Sequence, residues 1–428
     1  MDEPTTDADQ LSAIPPVLKR GSWLDHFAEF PLPIGISEDQ CRKFTIEFDE
    51  LLYKSWNLGA NVVLVWKISE SATGIDLLMC KHSNIVEFVR SGTDPKERNE
   101  RGAYMESLLA IDKQVDADDF EQIAGNLNIE PTHIRLPFVP GVDLSIGLMS
   151  AVARRYGVSL VDDRAVILFD AVGFSLLPSL EQMTQLNSLS YSINSAYSRL
   201  LEKEIDINFA RTTTGDGFYI WNRKRGIDAN IELYHLMLMI LAVNAIEQRD
   251  ATIPNLVPQL RACFHVGSHY EFYQPEALSP TTFSYLVGEV TIELARMIDH
   301  ALPGQIMVGD FRTPMHDYDT GGVEIIDSIE FVDRARNSLS KLKGLKLANA
   351  EVEEIKCYLT GSRYRDGKFN INQYIVPDKH GMFHKVYNAK LNIHRDNAEP
   401  IYLGIQNDEI PDFADITMEL KQKIRATQ

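Results

Sequence analysis

"RTTTGDGFYIW", residues 211–221, sets Gly215 and Asp216 in the middle of an apolar, β-branched run. The flanking alternation predicts two short strands, and a Gly-Asp pair between them supplies the backbone angles of a tight turn. On that account the carboxylate is only turn chemistry. A second account gives Asp216 a cation to hold, and the choice depends on what lies beside the hairpin.

The candidate neighbour is "RAVILFDAVGFS", residues 164–175. Five apolar residues precede Asp170, so the aspartate closes a strand that reads as buried, where an unpaired charge is costly. If this strand and the hairpin share a sheet, Asp170 and Asp216 stand at neighbouring strand ends with the Ala171 carbonyl close by. Such an oxygen set suits hard cations. Two-metal sites use a pair of this kind to activate an attacking hydroxyl and to steady a leaving phosphate. Taken singly, Asp170 reads as a cap for the following helix and Asp216 as a turn former.

The totals narrow the partners. A chain of 428 residues predicts two or three domains, and 44% hydrophobic with 24% charged residues describes a globular protein. A net charge of −19 argues against nucleic acid and anionic membranes as partners, but not against a small polyphosphate held by metal ions and a local cation. Cys41, Cys80, Cys263 and Cys357 form no CxxC pair, which predicts a reducing compartment and no zinc or disulfide framework. The opening MDEPTTDADQ is acidic where a signal peptide is basic. "LYHLMLMILAV", 233–243, is too short to span a bilayer and reads as a buried helix. Together these features predict a cytoplasmic protein.

Along the chain, residues 1–30 read as a flexible lead-in. Residues 31–160 form an α+β domain of sensor size, a candidate regulatory module. Its "EDQCRKFTIEFDELLYKSW", "DPKERNERGAYMESLLAID", "DADDFEQIAGNL" and "IGLMSAVARRYG" read as helices, and "ANVVLVWKIS" and "GIDLLMC" as strands. The "IRLPFVPGV" and "GLMSAVARRYGVSLVDD" segments resemble a GAF domain but lack the strands that should follow. Residues 161–361 alternate strands and helices in the β-α-β-β-α-β order of a ferredoxin-like palm, with "YLVGEVTIELARMIDHA" as its later helix. Residues 362–428 read as a small C-terminal β extension, "KFNINQYIVP", "FHKVYNAKLNIH" and "PIYLGIQ", ending in a helix, "ITMELKQKIRA".

Five segments in order resemble the motifs of class III nucleotidyl cyclases, the adenylate and guanylate cyclase type. "FDAVGFS" resembles F-x-D-I-x-G-F-T, and "TTTGDGFYIW" resembles the K-T-I-G-D hairpin. "RACFHVG" resembles R-x-G-I-H-x-G, "YLVGEVTIELARM" resembles D-x-x-G-x-x-V-N-x-A-x-R-M, and "HALPGQIMVGD" resembles P-P-G-Q-I-L-V-S. The resemblance implies the catalytic fold of that family over 161–361. It also implies two Mg²⁺ or Mn²⁺ ions on Asp170, Asp216 and the Ala171 carbonyl, and a nucleoside triphosphate substrate. Arg296 takes the place of the arginine that stabilises charge on the α-phosphate, and it shares a helix face with Gly288 and Ile292. Lys343 and Lys346 are both candidates for the triphosphate lysine. Because each site in the family is shared by two cyclase domains, the resemblance implies a homodimer, with a cyclic-nucleotide-activated effector downstream.

Three positions depart from the family. Thr212 stands where a purine-reading lysine or glutamate is expected, Tyr285 where an aspartate is, and Ile292 where a ribose-orienting asparagine is. Losing the polar groups that read a base changes the substrate rather than loosening it. A shorter and a bulkier residue at the two base positions predict a smaller base, UTP or CTP. This matches a resemblance to the Pycsar-type cyclic-pyrimidine cyclases of bacterial anti-phage defence, whose hairpin the TTTGDG run is similar to. The alternatives are a purine cyclase, or a retired cyclase-like nucleotide sensor, which the apolar Ile292 favours.

Overall fold

A computed structural model describes residues 30–71, 73–253, 255–276, 279–318, 320–362, 370–378, 381–410 and 422–423. The lead-in, save its last residue, and most of the helix expected over 416–426 lie outside them. Gln422 and Lys423, from that expected helix, instead pair as a strand with Asn372 and Ile371. The chain divides into two units. One holds everything up to Val161 together with Tyr270–Val287, and the other holds Asp162–His269 and the chain from Gly288 on.

The first unit opens with α1 (Glu38–Trp56), whose start is fixed by a capping box between Ser37 and Gln40. A three-stranded antiparallel sheet follows from β1 (Asn61–Ile68), β2 (Gly74–Lys81) and, after α2 (His82–Arg90), α3 (Pro95–Ala110) and α4 (Ala117–Leu127), β3 (Thr132–Arg135). The helix α5 (Ile146–Arg154) comes next. β1 is apolar without alternation because both its faces are covered. Val63 and Trp66 pack with Phe48, Leu52 and Met149 of α1 and α5, while Val62 and Leu64 pack with Leu108 and Phe120 of α3 and α4.

The second unit carries the β-α-β-β-α-β run. Its members are β4 (Val158–Ala171, from Asp162 on), α6 (Ser179–Leu201), β5 (Phe209–Thr213), β6 (Gly217–Asn222), α7 (Ile227–Asp250) and β7 (Leu260–Glu276, up to His269). These strands lie in the sheet in the order β7-β4-β6-β5, fourth–first–third–second, as in the split β-α-β arrangement. By length and composition α7, at 24 residues, could cross a bilayer. It is instead the core helix of this unit, with Leu233, Tyr234, Met237 and Ile240 all buried. Its buried His235 brings Nε2 within 3.0 Å of the Ala335 carbonyl, and burial pushes the ring down to about 4.

The chain goes on through β8 (Ser279–Val287), α8 (Glu289–His300), β9 (Ile306–Gly309), the hairpin of β10 (Arg312–Asp317) and β11 (Gly322–Asp327), α9 (Ser328–Ser338), β12 (Lys346–Leu347), β13 (Ala350–Leu359), β14 (Ile371–Pro377), β15 (Phe383–Arg395) and β16 (Ala398–Leu403). Two expectations are corrected here. Tyr285 does not begin a helix: it lies on β8, paired with Phe272 of β7 in the first unit, and the helix starts after Gly288. A Cβ at Gly288 would sit 2.7 Å from the His269 Cα, so the strand-to-helix break needs glycine there. The strands after 362 are also no appendage. β15 pairs with β9, β13, β14 and β16, and Tyr387, Ala389, Leu391 and Ile393 belong to the same core as α7.

Candidate active site

The strand ends bring Asp170 and Asp216 together. In the β4–β6 register Asp170 stands opposite Gly217, and the Ala171 N–H donates to the Asp216 carbonyl at 3.0 Å. The turn itself is built by Gly215 at φ 104°, by the Thr214 N–H donating to the Gly217 carbonyl at 3.0 Å, and by Thr214 Oγ1 donating to Asp216 Oδ1 at 3.2 Å. A side chain at Gly217 would collide with the Phe169 carbonyl, 1.8 Å from an added Cβ, so the two strands can approach this closely only over glycine.

Asp170 is 8% exposed, and Arg261 at the foot of β7 donates Nε–H to its Oδ2 at 2.6 Å. The same guanidinium donates through Nη1 to the Ala301 carbonyl at 3.1 Å, at the end of α8. Burial raises the proton affinity of Asp170, Arg261 opposes that, and the nearby Asp216 carboxylate adds to it. Two carboxylates against one guanidinium leave negative charge uncompensated at the strand ends. Oxygen donors of this kind fit a hard divalent cation. Among the described residues no three or more His, Cys, Asp or Glu side chains converge on one point. That is in keeping with ions such as Mg²⁺, which take one or two carboxylates and fill the remaining positions with water and substrate phosphate.

The other expected residues make contacts of their own. Arg296, on α8, pairs with Asp378 (3.1 Å) and Glu293 (3.5 Å) rather than with either aspartate. Thr212 is exposed on β5, opposite Tyr219, whose hydroxyl donates to the Thr291 carbonyl at 3.3 Å. Tyr285 is 44% exposed and stacks on Phe272 with ring centroids 5.5 Å apart; it belongs to the first unit, and Thr212 to the second. Ile292 is 48% exposed on α8. Lys343 and Lys346 have exposed side chains, and their carbonyls accept from Lys203 Nζ (2.7 Å) and from Arg199. Arg261 went unassigned in the sequence although it opens the quoted "RACFHVG". Its signal was a cationic residue leading an apolar strand. Asp378, His384 and Glu293 gave no such signal, because the first two lie far from Arg296 in sequence.

No protein-family model matches the sequence, and no curated protein matches it. Among solved structures the chain is similar to the guanylyl cyclase Cya2, at 10% identity over 54% of this chain and 92% of that one, with a TM-score of 0.33. It is similar to the guanylate cyclase domain of RhGC from Catenaria anguillulae in complex with GTP, at 12% identity over 55% and 98%, with a TM-score of 0.31. The adenylyl cyclase CyaB from P. aeruginosa is similar at 10% identity over 54% and 95%, also with a TM-score of 0.31.

Proposed function

We propose that the protein is a nucleotidyl cyclase that converts a pyrimidine nucleoside triphosphate, UTP or CTP, to its 3′,5′-cyclic monophosphate and pyrophosphate. The observation that carries this reading is the Asp170–Asp216 carboxylate pair at adjoining strand ends, with Asp170 buried beside Arg261 and Asp216 half-buried at the turn. In the reaction the ribose 3′-oxygen bonds to the α-phosphorus, its proton leaves, and the bond from the α-phosphorus to the bridging oxygen breaks to release pyrophosphate. Asp170, Asp216 and the Ala171 carbonyl would hold two Mg²⁺ or Mn²⁺ ions, which when bound supply a more acidic 3′-hydroxyl and charge compensation for the phosphates. Arg261 orients the Asp170 carboxylate from the side away from the turn. Arg296 supplies a fixed positive charge for the negative charge that builds on the α-phosphate.

By the resemblance to class III cyclases, whose sites are shared by two cyclase domains, the site is read as shared between two copies, one giving the aspartates and the other the arginine. Thr212 and Tyr285 carry no carboxylate or ammonium with which to read a purine edge, and this supports the pyrimidine assignment. On the same reading Lys343 or Lys346 meets the triphosphate, and the first unit is a sensor. The proposed role in anti-phage defence, as the source of a messenger for an effector, rests on the TTTGDG resemblance alone. The apolar Ile292, standing where the family has a ribose-orienting asparagine, favours a second reading, a nucleotide-binding protein of this fold that has lost turnover.

The test is incubation of the purified full chain with ATP, GTP, CTP and UTP separately, with Mn²⁺, beside Asp170→Asn. A cyclic pyrimidine product that vanishes in the variant is the expected result. A cyclic purine would keep the reaction and remove the base assignment. Silence with all four, alongside measurable nucleotide binding, would leave the second reading.

A further inference from the structure

Arg296 is not a lone cation on a helix. Its Nε lies 3.1 Å from Asp378 Oδ2 and its Nη1 3.5 Å from Glu293 Oε1, and Nη1 also comes within 3.5 Å of His384 Nε2. His384 closes the ring, with Nδ1 2.6 Å from Glu293 Oε2 and Nε2 3.5 Å from Asp378 Oδ2. The short Nδ1 contact to a carboxylate assigns the ring proton to Nδ1, which leaves Nε2 facing the guanidinium. The Asp378 and His384 side chains are 3% and 6% exposed, whereas that of Arg296 keeps 23% of its surface open.

The partners reach Arg296 from two independent elements. Glu293 lies one turn earlier on α8, the spacing at which helical side chains meet. Asp378 follows β14, at the base of the turn into β15, where its Oδ1 accepts the Met382 N–H at 2.8 Å. His384 sits opposite Val376 in the same hairpin. A carboxylate as buried as Asp378 costs heavily without a cation, so the hairpin and the guanidinium hold each other. A free arginine samples many rotamers and its fork has a defined plane. The ion pairs at Nε and Nη1, with the Nη1 contact to His384 Nε2, restrain that plane, and Nη2 is the nitrogen that none of these contacts uses.

We propose that Asp378 and Glu293, bridged by His384, are positioning residues for Arg296: they hold its guanidinium by Nε and Nη1 so that Nη2 meets a phosphate oxygen of the substrate. This rests on the reading of Arg296 as the cation that stabilises charge on the α-phosphate. The two carboxylates touch no substrate themselves. Their effect falls on the orientation of a charge in the transition state, and so on kcat rather than KM.

The experiment is a double-mutant cycle in the full chain, with Asp378→Asn, Arg296→Ala and the pair, and with Asp378→Glu as the conservative variant. Asp378→Asn is expected to lower kcat about 100-fold, the scale of a misplacement of roughly 1 Å, with KM changed by less than about threefold. In the Arg296→Ala background the same change should cost nothing further, and Asp378→Glu should recover part of the loss. A merely structural ion pair would lower the melting temperature and leave the kcat of the folded fraction alone, which overturns the proposal. It is also overturned if Asp378→Asn raises kcat, since the carboxylate would then be restraining Arg296, or if the two losses are additive. A wild type that cyclises none of the four nucleotides removes the functional reading and this proposal together. An active wild type with an indifferent Asp378→Asn removes the proposal alone.

Discussion

Arg261 donates Nε–H to Asp170 Oδ2 at 2.6 Å, so the carboxylate that closes β4 is held by a cation from the foot of β7. That pair lies in the same unit as Asp216, whose negative charge works against it. Removing the guanidinium leaves two neighbouring carboxylates with no cation between them. Arg261→Ala should therefore destabilise the protein by about 2 kcal/mol. That is less than the roughly 3–5 kcal/mol of a fully buried pair, because the Arg261 side chain keeps 26% of its surface exposed. Chemical denaturation at pH 8 checks the figure, and Arg261→Lys should return part of it. A loss equal to that of an exposed arginine elsewhere in the chain would show that Asp170 does not depend on this partner.

Gly217 offers a test of geometry that is independent of charge. Gly217→Ala puts a Cβ 1.8 Å from the Phe169 carbonyl oxygen, so β4 and β6 must part at the point where Asp170 and Asp216 meet. Overpacking of this kind costs about 1–3 kcal/mol, and more where the obstacle is backbone. The melting temperature should fall, and any Mn²⁺ binding by the folded protein should weaken with it. An alanine variant with unchanged stability and unchanged Mn²⁺ affinity would mean that the strands do not approach as described.

The parts of this site that could be read from the sequence were the local ones. Asp170 follows five apolar residues and Asp216 sits in a glycine turn, so strand end and hairpin are each visible within a dozen residues. Tyr285 was misread because "YLVGEV" is an apolar run that suits a helix as well as a strand. What decides it is pairing with Phe272 across a hairpin, together with the break at Gly288. The C-terminal strands were recognised as strands, but alternation says nothing about partners. Only the β15–β9 register shows that they complete the sheet. The ring of Arg296, Asp378 and His384 joins a helix to a distant hairpin, and no periodicity in the sequence announces it.

Asp49 gives the first unit a pH dependence of its own. It is buried on α1, Tyr156 donates its hydroxyl to Oδ1 at 2.5 Å, and burial pushes the carboxyl up from 3.8 to about 6 against the pull of Tyr156 and Arg155, with Glu50 adding slightly to the rise. A carboxyl raised on folding binds its proton more tightly in the folded state. Its contribution to stability is therefore fully present below about pH 4 and is lost as the pH rises through about 6. A shift of this size amounts to on the order of 3 kcal/mol. Hydrogen exchange of the α1 amides in the full chain, corrected for intrinsic rates, should show wild type gaining protection over Asp49→Asn as the pH falls from 7 to 4. Parallel profiles for the two proteins would exclude Asp49 as the source.

The proposed sharing of the site between two copies is testable by mixing. If each site takes Asp170 and Asp216 from one copy and Arg296 from the other, an Asp170→Asn homodimer and an Arg296→Ala homodimer each have two defective sites. In a mixed dimer both defects fall in one site and the second site is intact. Random exchange at equal concentrations makes half the dimers mixed, each with one working site of two, so activity should recover to about a quarter of wild type. The recovery should track the exchange of subunits, following any preincubation that dissociates and reforms dimers. Sites completed within a single chain predict no recovery at any ratio, because every copy then carries its own defect.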